Sequence, residues 1–153
     1  MCLNRTGIRR DIPENYSEIC IKVFIKSGKY LRPASYRNKK LFRKIEHPTY
    51  LDTNIVWISS GLVNNEGVFY KSGFHAFRYG TDISTYNLTD PDTVTRVVVL
   101  SDITAIGYQD HWRHEQVVVG RTMYIVPKKD EAVFLRLAQS QKTIRPKVYR
   151  KCD

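Results

Sequence analysis

The stretch Ser72-Gly73-Phe74-His75-Ala76-Phe77-Arg78 is the part of this sequence that is most informative about the fold. It combines a glycine, two aromatic rings, a histidine and an arginine, which predicts a buried aromatic hinge with one titratable ring. Two strongly apolar runs follow, Val94–Leu100 and Val117–Val126. Runs rich in β-branched residues favour strands. The first becomes apolar on both faces toward its end, which is typical of a central strand.

Segments outside this region predict further strands. Ile19–Lys26 alternates in character, with Lys22 and Lys26 on one face and apolar side chains on the other. Tyr30-Leu31 then begins a return strand that Pro33 stops. Shorter strands are predicted over Ile55–Ile58, Val68–Tyr70 and Ile103–Tyr108.

Two short helices are predicted in the second half of the chain. Thr81 caps the first, over Asp82–Asn87, and Asp130 caps the second, over Glu131–Gln139. In the second helix, three apolar side chains recur on one side at helical spacing: Val133, Phe134 and Leu137.

A length of 153 residues suits one compact domain. We expect an α+β fold, a β-rich single domain with a mostly antiparallel sheet and one or two short helices. The predicted boundaries are an N-terminal arm over 1–17, the domain over 18–139 with a basic loop insert at 29–50, and a basic C-terminal tail over 140–153.

The charge of the chain is +10 and is concentrated at its two ends. Residues 1–50 contain twelve lysines and arginines against four acidic residues, and residues 101–153 contain ten against six, whereas the middle is slightly acidic. A basic surface attracts polyanions through counterion release and long-range steering. It also serves solubility or docks an acidic protein, so the charge alone leaves these alternatives open.

No run approaches the roughly 20 apolar residues that span a bilayer, and the N-terminus lacks the apolar core of a signal peptide. We therefore expect a protein of the cytosol or of a cytosol-derived particle, with no membrane partner. The three cysteines form no CxxC pair. They are predicted to be reduced, with Cys20 packed in a strand, although a link between Cys2 and Cys152 stays open.

Residues 29–50 form the strongest candidate for binding, because seven cations alternate with aromatic residues there. Cations neutralise phosphates while aromatic rings stack on bases; the equal alternative is a solvated loop whose tyrosines cover the domain's own core. The predicted ligand-binding residues are Tyr36, Arg37, Lys39, Lys40, Arg43, Lys44 and Arg78, together with Arg145, Lys147, Arg150 and Lys151 of the tail.

The order of motifs carries a resemblance. A Met-Cys-Leu start, a Lys-Val-Phe strand and a Leu-x-Pro loop precede Gly-Phe-His-Ala-Phe, and Val-x-Arg-Val-Val-Val, Ile-x-Ala-x-Gly and Val-Val-Val-x-Arg follow it. Over residues 18–126 this resembles a widespread group of small uncharacterised proteins from bacteria, bacteriophages and large DNA viruses. The resemblance implies no activity and no catalytic residue. It implies a phage or prophage setting, where small basic proteins act on host defence or bind nucleic acid or virion components.

His75 is the candidate catalytic residue. Next to two aromatic rings and Arg78, it would act as a general acid or base or bind phosphate. The alternative is a core histidine whose ring nitrogens are hydrogen-bonded, and the apolar setting favours this second interpretation.

The segment 110–115 is predicted as an exposed hairpin tip. Its two histidines have no third spaced ligand, so no metal is predicted there, and no cofactor motif occurs elsewhere. Aromatic and arginine side chains at such a tip are typical interface anchors. We expect a partner contact through His111, Trp112, Arg113 and His114.

The sequence therefore predicts a small basic binding protein without catalytic activity. Its ligand would be a polyanion, either nucleic acid or a nucleotide-like molecule, or an acidic host protein. One alternative is an enzyme centred on His75 that cleaves phosphoesters with His111 or His114, or transfers ADP-ribose with Glu115 or Glu131. The other is a structural component of a virion or large assembly, and homo-oligomerisation stays open.

Overall fold

The computed structural model of the chain describes residues 8–27, 30–33, 49–52, 62–65, 68–71, 73–81, 83, 91–108 and 116–146. This part of the chain is strand-rich and antiparallel with one short α-helix, which confirms the coarse α+β prediction. The elements are β1 (Glu18–Ser27), β2 (Tyr30–Pro33), β3 (Thr49–Asp52), β4 (Leu62–Asn65), β5 (Val68–Lys71), β6 (Phe74–Arg78), β7 (Thr93–Tyr108), β8 (Gln116–Ile125), a 3-10 turn (Lys128–Asp130) and α1 (Glu131–Ser140).

Four of the strands are paired in a closed ring. β1 pairs with β7, β7 with β8, β8 with β6, and β6 with β1, and every pairing is antiparallel. The β6–β1 pairing covers only Cys20 and Ile21 on β1. From Phe24 onward the same edge of β1 pairs with β2 instead, and β3 continues the edge of β8 from Thr122 onward. β4 and β5 form a separate hairpin.

β7 is one continuous strand of 16 residues, whereas two strands were predicted in its place. The register with β8 shifts between Ile103 and Ala105. Asp102 just before this shift has a φ of +50°, in the left-handed region that aspartate tolerates better than most residues. The strand therefore passes its irregular point by a β-bulge instead of ending there.

The inner face of the ring is the main hydrophobic core. It contains Phe24, Phe74, Leu100 and Met123, each at most 2% exposed. The alternation predicted for β1 is present, but the face that carries Lys22 is the more deeply buried one. A second cluster covers the opposite face of the sheet, with Ile8, Val23, Tyr70, Phe77, Ala105, Val117 and Val119.

Helix α1 begins and ends within one residue of its prediction, but of the three apolar residues predicted to pack only Phe134 does so. Val133 and Leu137 are 54% and 52% exposed, so they do not form the buried stripe. Ala138 is buried instead, and the ring of Phe134 lies 6.3 Å from that of Tyr124. Asp130 occupies the N-cap position, yet its side chain makes no capping hydrogen bond.

The described parts of both predicted arms contact the domain. Arg9 and Ile106 exchange two backbone hydrogen bonds, of 2.8 and 2.9 Å. On the other side, the side-chain amide of Gln141 bonds to both backbone groups of Ile19, accepting at 2.9 Å and donating at 3.0 Å. Residues 8–17 and 141–146 are therefore joined to the sheet by specific hydrogen bonds.

Two predicted elements lie outside the described residues, namely the strand Ile55–Ile58 and, apart from Ile83, the short helix Asp82–Asn87. The return strand Tyr30-Leu31 is confirmed as β2, and β5 and β8 match their predictions. β3 and β4 were not predicted. Among the helices that the structure describes, none has the length and apolar character needed to cross a membrane.

Candidate functional site

An internal polar cluster lies on the inner face of the ring, where β1 and β6 pair. It consists of Tyr16, Glu18, Arg78 and Gln116. Side chains alternate between the two faces of β1, so Glu18 and Cys20 both point to the inside of the ring. Cys20 lies opposite Arg78 in the pairing of β1 with β6. The two charged residues are almost completely buried, Glu18 at 1% exposure and Arg78 at 6%.

Each of the three guanidinium nitrogens of Arg78 donates a hydrogen bond within the cluster. The Arg78 Nε and Nη2 groups donate to the two carboxylate oxygens of Glu18, both at 2.8 Å. Its Nη1 donates to the Gln116 side-chain oxygen, also at 2.8 Å. The Tyr16 hydroxyl donates to Glu18 and accepts from the backbone N–H of Ile144 at 3.1 Å. This network ties the tail to the sheet through charge-assisted bonds.

Burial controls the ionisation of the neighbouring groups. Desolvation, with a further contribution from the hydrogen bond to Glu18, raises the pKa of Tyr16 to about 12. Desolvation and the nearby Glu18 charge also raise the pKa of the buried, free Cys20 thiol. Neither group supplies an anionic nucleophile at neutral pH. The cluster therefore stabilises the fold. Arg78 was predicted to bind a polyanion, but almost none of its surface is accessible to one.

A second polar pair, Lys22 and His75, lies where β1 leaves β6. The Lys22 ammonium donates to the backbone carbonyl of His75 and lies 5.8 Å from the centre of the Phe24 ring. Among the described residues no carboxylate forms an ion pair with it. Because the ammonium is buried, desolvation lowers the pKa of Lys22 to about 8.

The His75 ring is held in one orientation by its backbone. Nδ1 lies 3.1 Å from the carbonyl oxygen of Gly73, so Nδ1 carries the proton and Nε2 is left as an acceptor. Nε2 is buried and has no hydrogen-bond partner. Desolvation and the Lys22 charge lower the pKa of His75 to about 3. A ring that is neutral at pH 7 and this weakly basic is a poor general acid or base.

A C-terminal basic segment, residues 128–145, contains most of the exposed cations among the described residues. Val133, Arg136, Leu137 and Ser140 are exposed and follow the spacing of one helix face. The two acidic residues of the segment are partly buried, and Glu131 is bonded to Arg96 at 3.1 Å. The exposed cations are Lys128, Lys129, Arg136, Lys142 and Arg145.

The remaining predicted site residues fall outside the described part of the chain. These are Tyr36, Arg37, Lys39, Lys40, Arg43 and Lys44 of the basic loop, His111, Trp112, Arg113 and His114 of the hairpin tip, and Lys147, Arg150 and Lys151 of the tail. Arg145 is described and exposed, and its carbonyl accepts a hydrogen bond of 3.1 Å from the Arg9 guanidinium.

Sequence reasoning missed the internal polar cluster and the Lys22–His75 pair. The signal that was available is the presence of Glu18, Cys20 and Lys22 at alternate positions of a strongly β-branched strand. A charged residue on a face that must be buried requires a partner. The partner Arg78 lies 60 residues along the chain, so no local pattern indicates it.

Comparison of the chain with protein-family models, with curated proteins and with solved structures finds no match. The resemblance to phage and bacterial proteins therefore stays a prediction. Within the ranges that the structure describes, no group of three or more histidine, cysteine, aspartate or glutamate residues is arranged to hold a metal ion.

Proposed function

We propose that the protein is a binding protein without catalytic activity, and that it engages an acidic protein through the C-terminal basic segment. The observation that carries this proposal is the exposure of Lys128, Lys129, Arg136, Lys142 and Arg145 beside acidic residues that are themselves partly buried. Their charge is directed to solvent and is available for an external partner. Such charge steers association and sets its salt dependence.

Two exposed aliphatic side chains favour a protein partner over nucleic acid. Val133 and Leu137 lie on the same helix face as Arg136. Apolar anchors surrounded by polar and charged residues are typical of protein interfaces. Nucleic acid is bound mainly through phosphate contacts and aromatic stacking, and the exposed face of α1 contains no aromatic residue.

The environment of His75 supports a role without catalysis. Its pKa of about 3 leaves the ring uncharged, and its Nδ1 is engaged with Gly73. An enzyme centred on this residue would need the ring to exchange a proton near neutral pH. The His75-centred reactions are therefore less well supported than binding.

The test measures the affinity of the protein for a leucine-containing oligoglutamate peptide, for single-stranded DNA, for double-stranded DNA and for RNA. Each affinity is measured from about 50 to 200 mM salt. We expect the peptide to bind and Arg136→Glu to weaken it several-fold. The control Lys26→Glu makes the same charge change at an exposed lysine of β1 and should have little effect. Leu137→Ser should weaken peptide binding at every salt concentration.

Other outcomes contradict the proposal in distinct ways. Tight nucleic-acid binding that Leu137→Ser leaves unchanged would replace the acidic protein by a polynucleotide. Binding of the peptide that is equally strong at all salt concentrations and in Arg136→Glu would exclude the electrostatic basis.

A further inference from the structure

Residues 141–146, the anchored tail, follow helix α1 and are held to the rest of the domain by specific contacts. Gln141 is extended, and its side-chain amide bonds to both backbone groups of Ile19. Four residues later, the carbonyl of Arg145 accepts from the Arg9 guanidinium at 3.1 Å. The contact with Ile19 is partly buried, whereas the contact with Arg9 is exposed. Water competes with the exposed contact, which is therefore the weaker of the two.

Tyr16 supplies a further attachment between these two points. Its hydroxyl accepts from the backbone N–H of Ile144 at 3.1 Å and donates to Glu18, whose carboxylate is held by Arg78. Because burial raises the pKa of Tyr16 to about 12, the hydroxyl keeps its proton for Glu18 at neutral pH and presents a lone pair to Ile144. The side chain of Ile144 packs against the main core cluster. One hydroxyl group thus joins the anchored tail to a buried ion pair.

The two cations of the anchored tail lie on either side of this attachment. Lys142 and Arg145 are exposed, and within the described ranges neither forms an ion pair with a carboxylate. Because Ile144 lies two residues after Lys142 and one before Arg145, holding it restricts the movement of both cations. Side chains that are already restricted lose less conformational freedom when a partner binds them.

We propose that Tyr16 is a positioning residue for partner binding. By holding Ile144, it fixes Lys142 and Arg145 at the surface that receives the acidic protein. This role rests on the proposed function of the C-terminal basic segment, and it adds to that segment a residue from the other end of the chain. Tyr16 needs no contact with the partner. The internal polar cluster thereby serves binding as well as the stability of the fold.

The first experiment measures the affinity of the full chain for the leucine-containing oligoglutamate peptide at low salt. Tyr16→Phe keeps the aromatic ring and removes only the hydroxyl group. We expect this variant to bind the peptide about fivefold more weakly, the equivalent of one ordinary hydrogen bond. The control Tyr79→Phe removes a hydroxyl that accepts from Gln139 of helix α1 at 3.3 Å, and it should bind as the original chain does.

A double-mutant cycle separates positioning from a general loss of structure. The Lys142→Ala/Arg145→Ala variant has no cations left for Tyr16 to position, but it keeps Arg136 and Leu137 for peptide binding. Adding Tyr16→Phe to this variant should therefore weaken binding no further. An equal loss of affinity in both backgrounds would show that the hydroxyl acts on the fold alone and would overturn the proposal. Unchanged affinity of Tyr16→Phe in the original background would do the same.

Hydrogen exchange of the Ile144 amide tests the same coupling without a variant. If attachment of the tail strengthens peptide binding, the peptide must strengthen attachment of the tail by the same factor. We therefore expect saturating peptide to slow this exchange by at least about fivefold. Exchange that the bound peptide does not slow would overturn the role of Tyr16, even where Tyr16→Phe fails to fold.

Failure of the proposed function gives a different pattern of results. If the original chain does not bind the peptide, or if Arg136→Glu binds it equally well, the acidic partner is wrong and the role of Tyr16 fails with it. If Arg136→Glu weakens binding while Tyr16→Phe does not, the acidic partner is supported and only the role of Tyr16 is wrong.

Discussion

Arg78 holds both carboxylate oxygens of Glu18 at 2.8 Å inside the ring of strands, although its partner in the ladder is Cys20. The guanidinium thus reaches diagonally along β1 to a residue that β-sheet alternation places on the same face. Fork-to-fork geometry of this kind gives the strongest ion pairs in proteins. Its value to the fold depends on both partners being present, because each alone is a buried charge.

Glu18→Gln should destabilise the protein by about 3–5 kcal/mol, because it leaves the Arg78 charge buried and uncompensated. Urea unfolding monitored by circular dichroism measures the change. The matched control is Glu131→Gln, which breaks the partly exposed pair with Arg96 and should cost about 1 kcal/mol or less. A Glu18→Leu/Arg78→Met double variant that is more stable than Glu18→Gln would support the mechanism; equal costs for Glu18→Gln and Glu131→Gln would contradict it.

The unfolding free energy of the original chain should rise with pH in alkaline solution, and Lys22→Met should abolish this rise. The folded chain releases the Lys22 proton near pH 8, and the unfolded chain keeps it up to about pH 10.5. Between these values the unfolded state binds more protons, so stability rises with pH. The rise is on the order of 3 kcal/mol in total.

The measurement is the difference in unfolding free energy between the original chain and Lys22→Met at pH 7, 8, 9 and 10. The contribution of Tyr16, whose raised pKa lowers stability above pH 10, cancels in this difference. A difference that stays constant across the range would show that the ammonium is not desolvated.

His75→Phe should make the protein less sensitive to acid. The folded state keeps His75 neutral down to about pH 3, whereas the unfolded chain takes up a proton near pH 6.5. The original chain therefore loses stability as the pH falls below 6.5, approaching about 1.4 kcal/mol per pH unit from this residue.

Unfolding of the two proteins between pH 7 and 4.5, in phosphate-free buffer, tests this expectation. The unfolding free energies should converge or cross as the pH falls. Parallel pH profiles would mean that His75 titrates normally in the folded state.

Gly73→Ala should cost about 3 kcal/mol, the upper end for overpacking. A Cβ at this position would lie 2.9 Å from the carbonyl carbon of Gly120 and closer still to its oxygen, in the pairing between β6 and β8. Thermal unfolding measures the loss. Gly80→Asn is the control, since Gly80 has open space and a φ of +86° that asparagine tolerates; it should cost less than about 1 kcal/mol. A milder effect of Gly73→Ala than of Gly80→Asn would contradict the close approach.

The sequence predicted those features that depend on local composition. The valine-rich runs of β7 and β8 were recognised because β-branched residues favour strands, and helix α1 because its apolar residues recur at helical spacing. The spacing does not show which side of the helix packs against the sheet, because Val133 and Leu137 are four residues apart and so are Phe134 and Ala138. Contact with Tyr124 selects the second pair, and only the tertiary structure contains that contact.

The candidate site was less predictable because its members come together across the chain. Lys22 was assigned to a lysine-bearing face, yet closure of the ring makes that face internal. The alternative prediction for His75 was a core histidine with hydrogen-bonded ring nitrogens, whereas Nε2 has no hydrogen-bond partner. Strand divergence follows from the competition of β2 and β6 for one edge of β1, which no single segment reveals.

The bonds between Gln141 and Ile19 have a consequence for the edge of β1. A carboxamide offers the same N–H and C=O pair as a peptide group, so Gln141 acts toward Ile19 as a strand one residue long. A strand edge with free backbone groups is a template for pairing with another molecule. Because Gln141 of the tail occupies both backbone groups of Ile19, these two groups are not available to pair with a strand of another molecule.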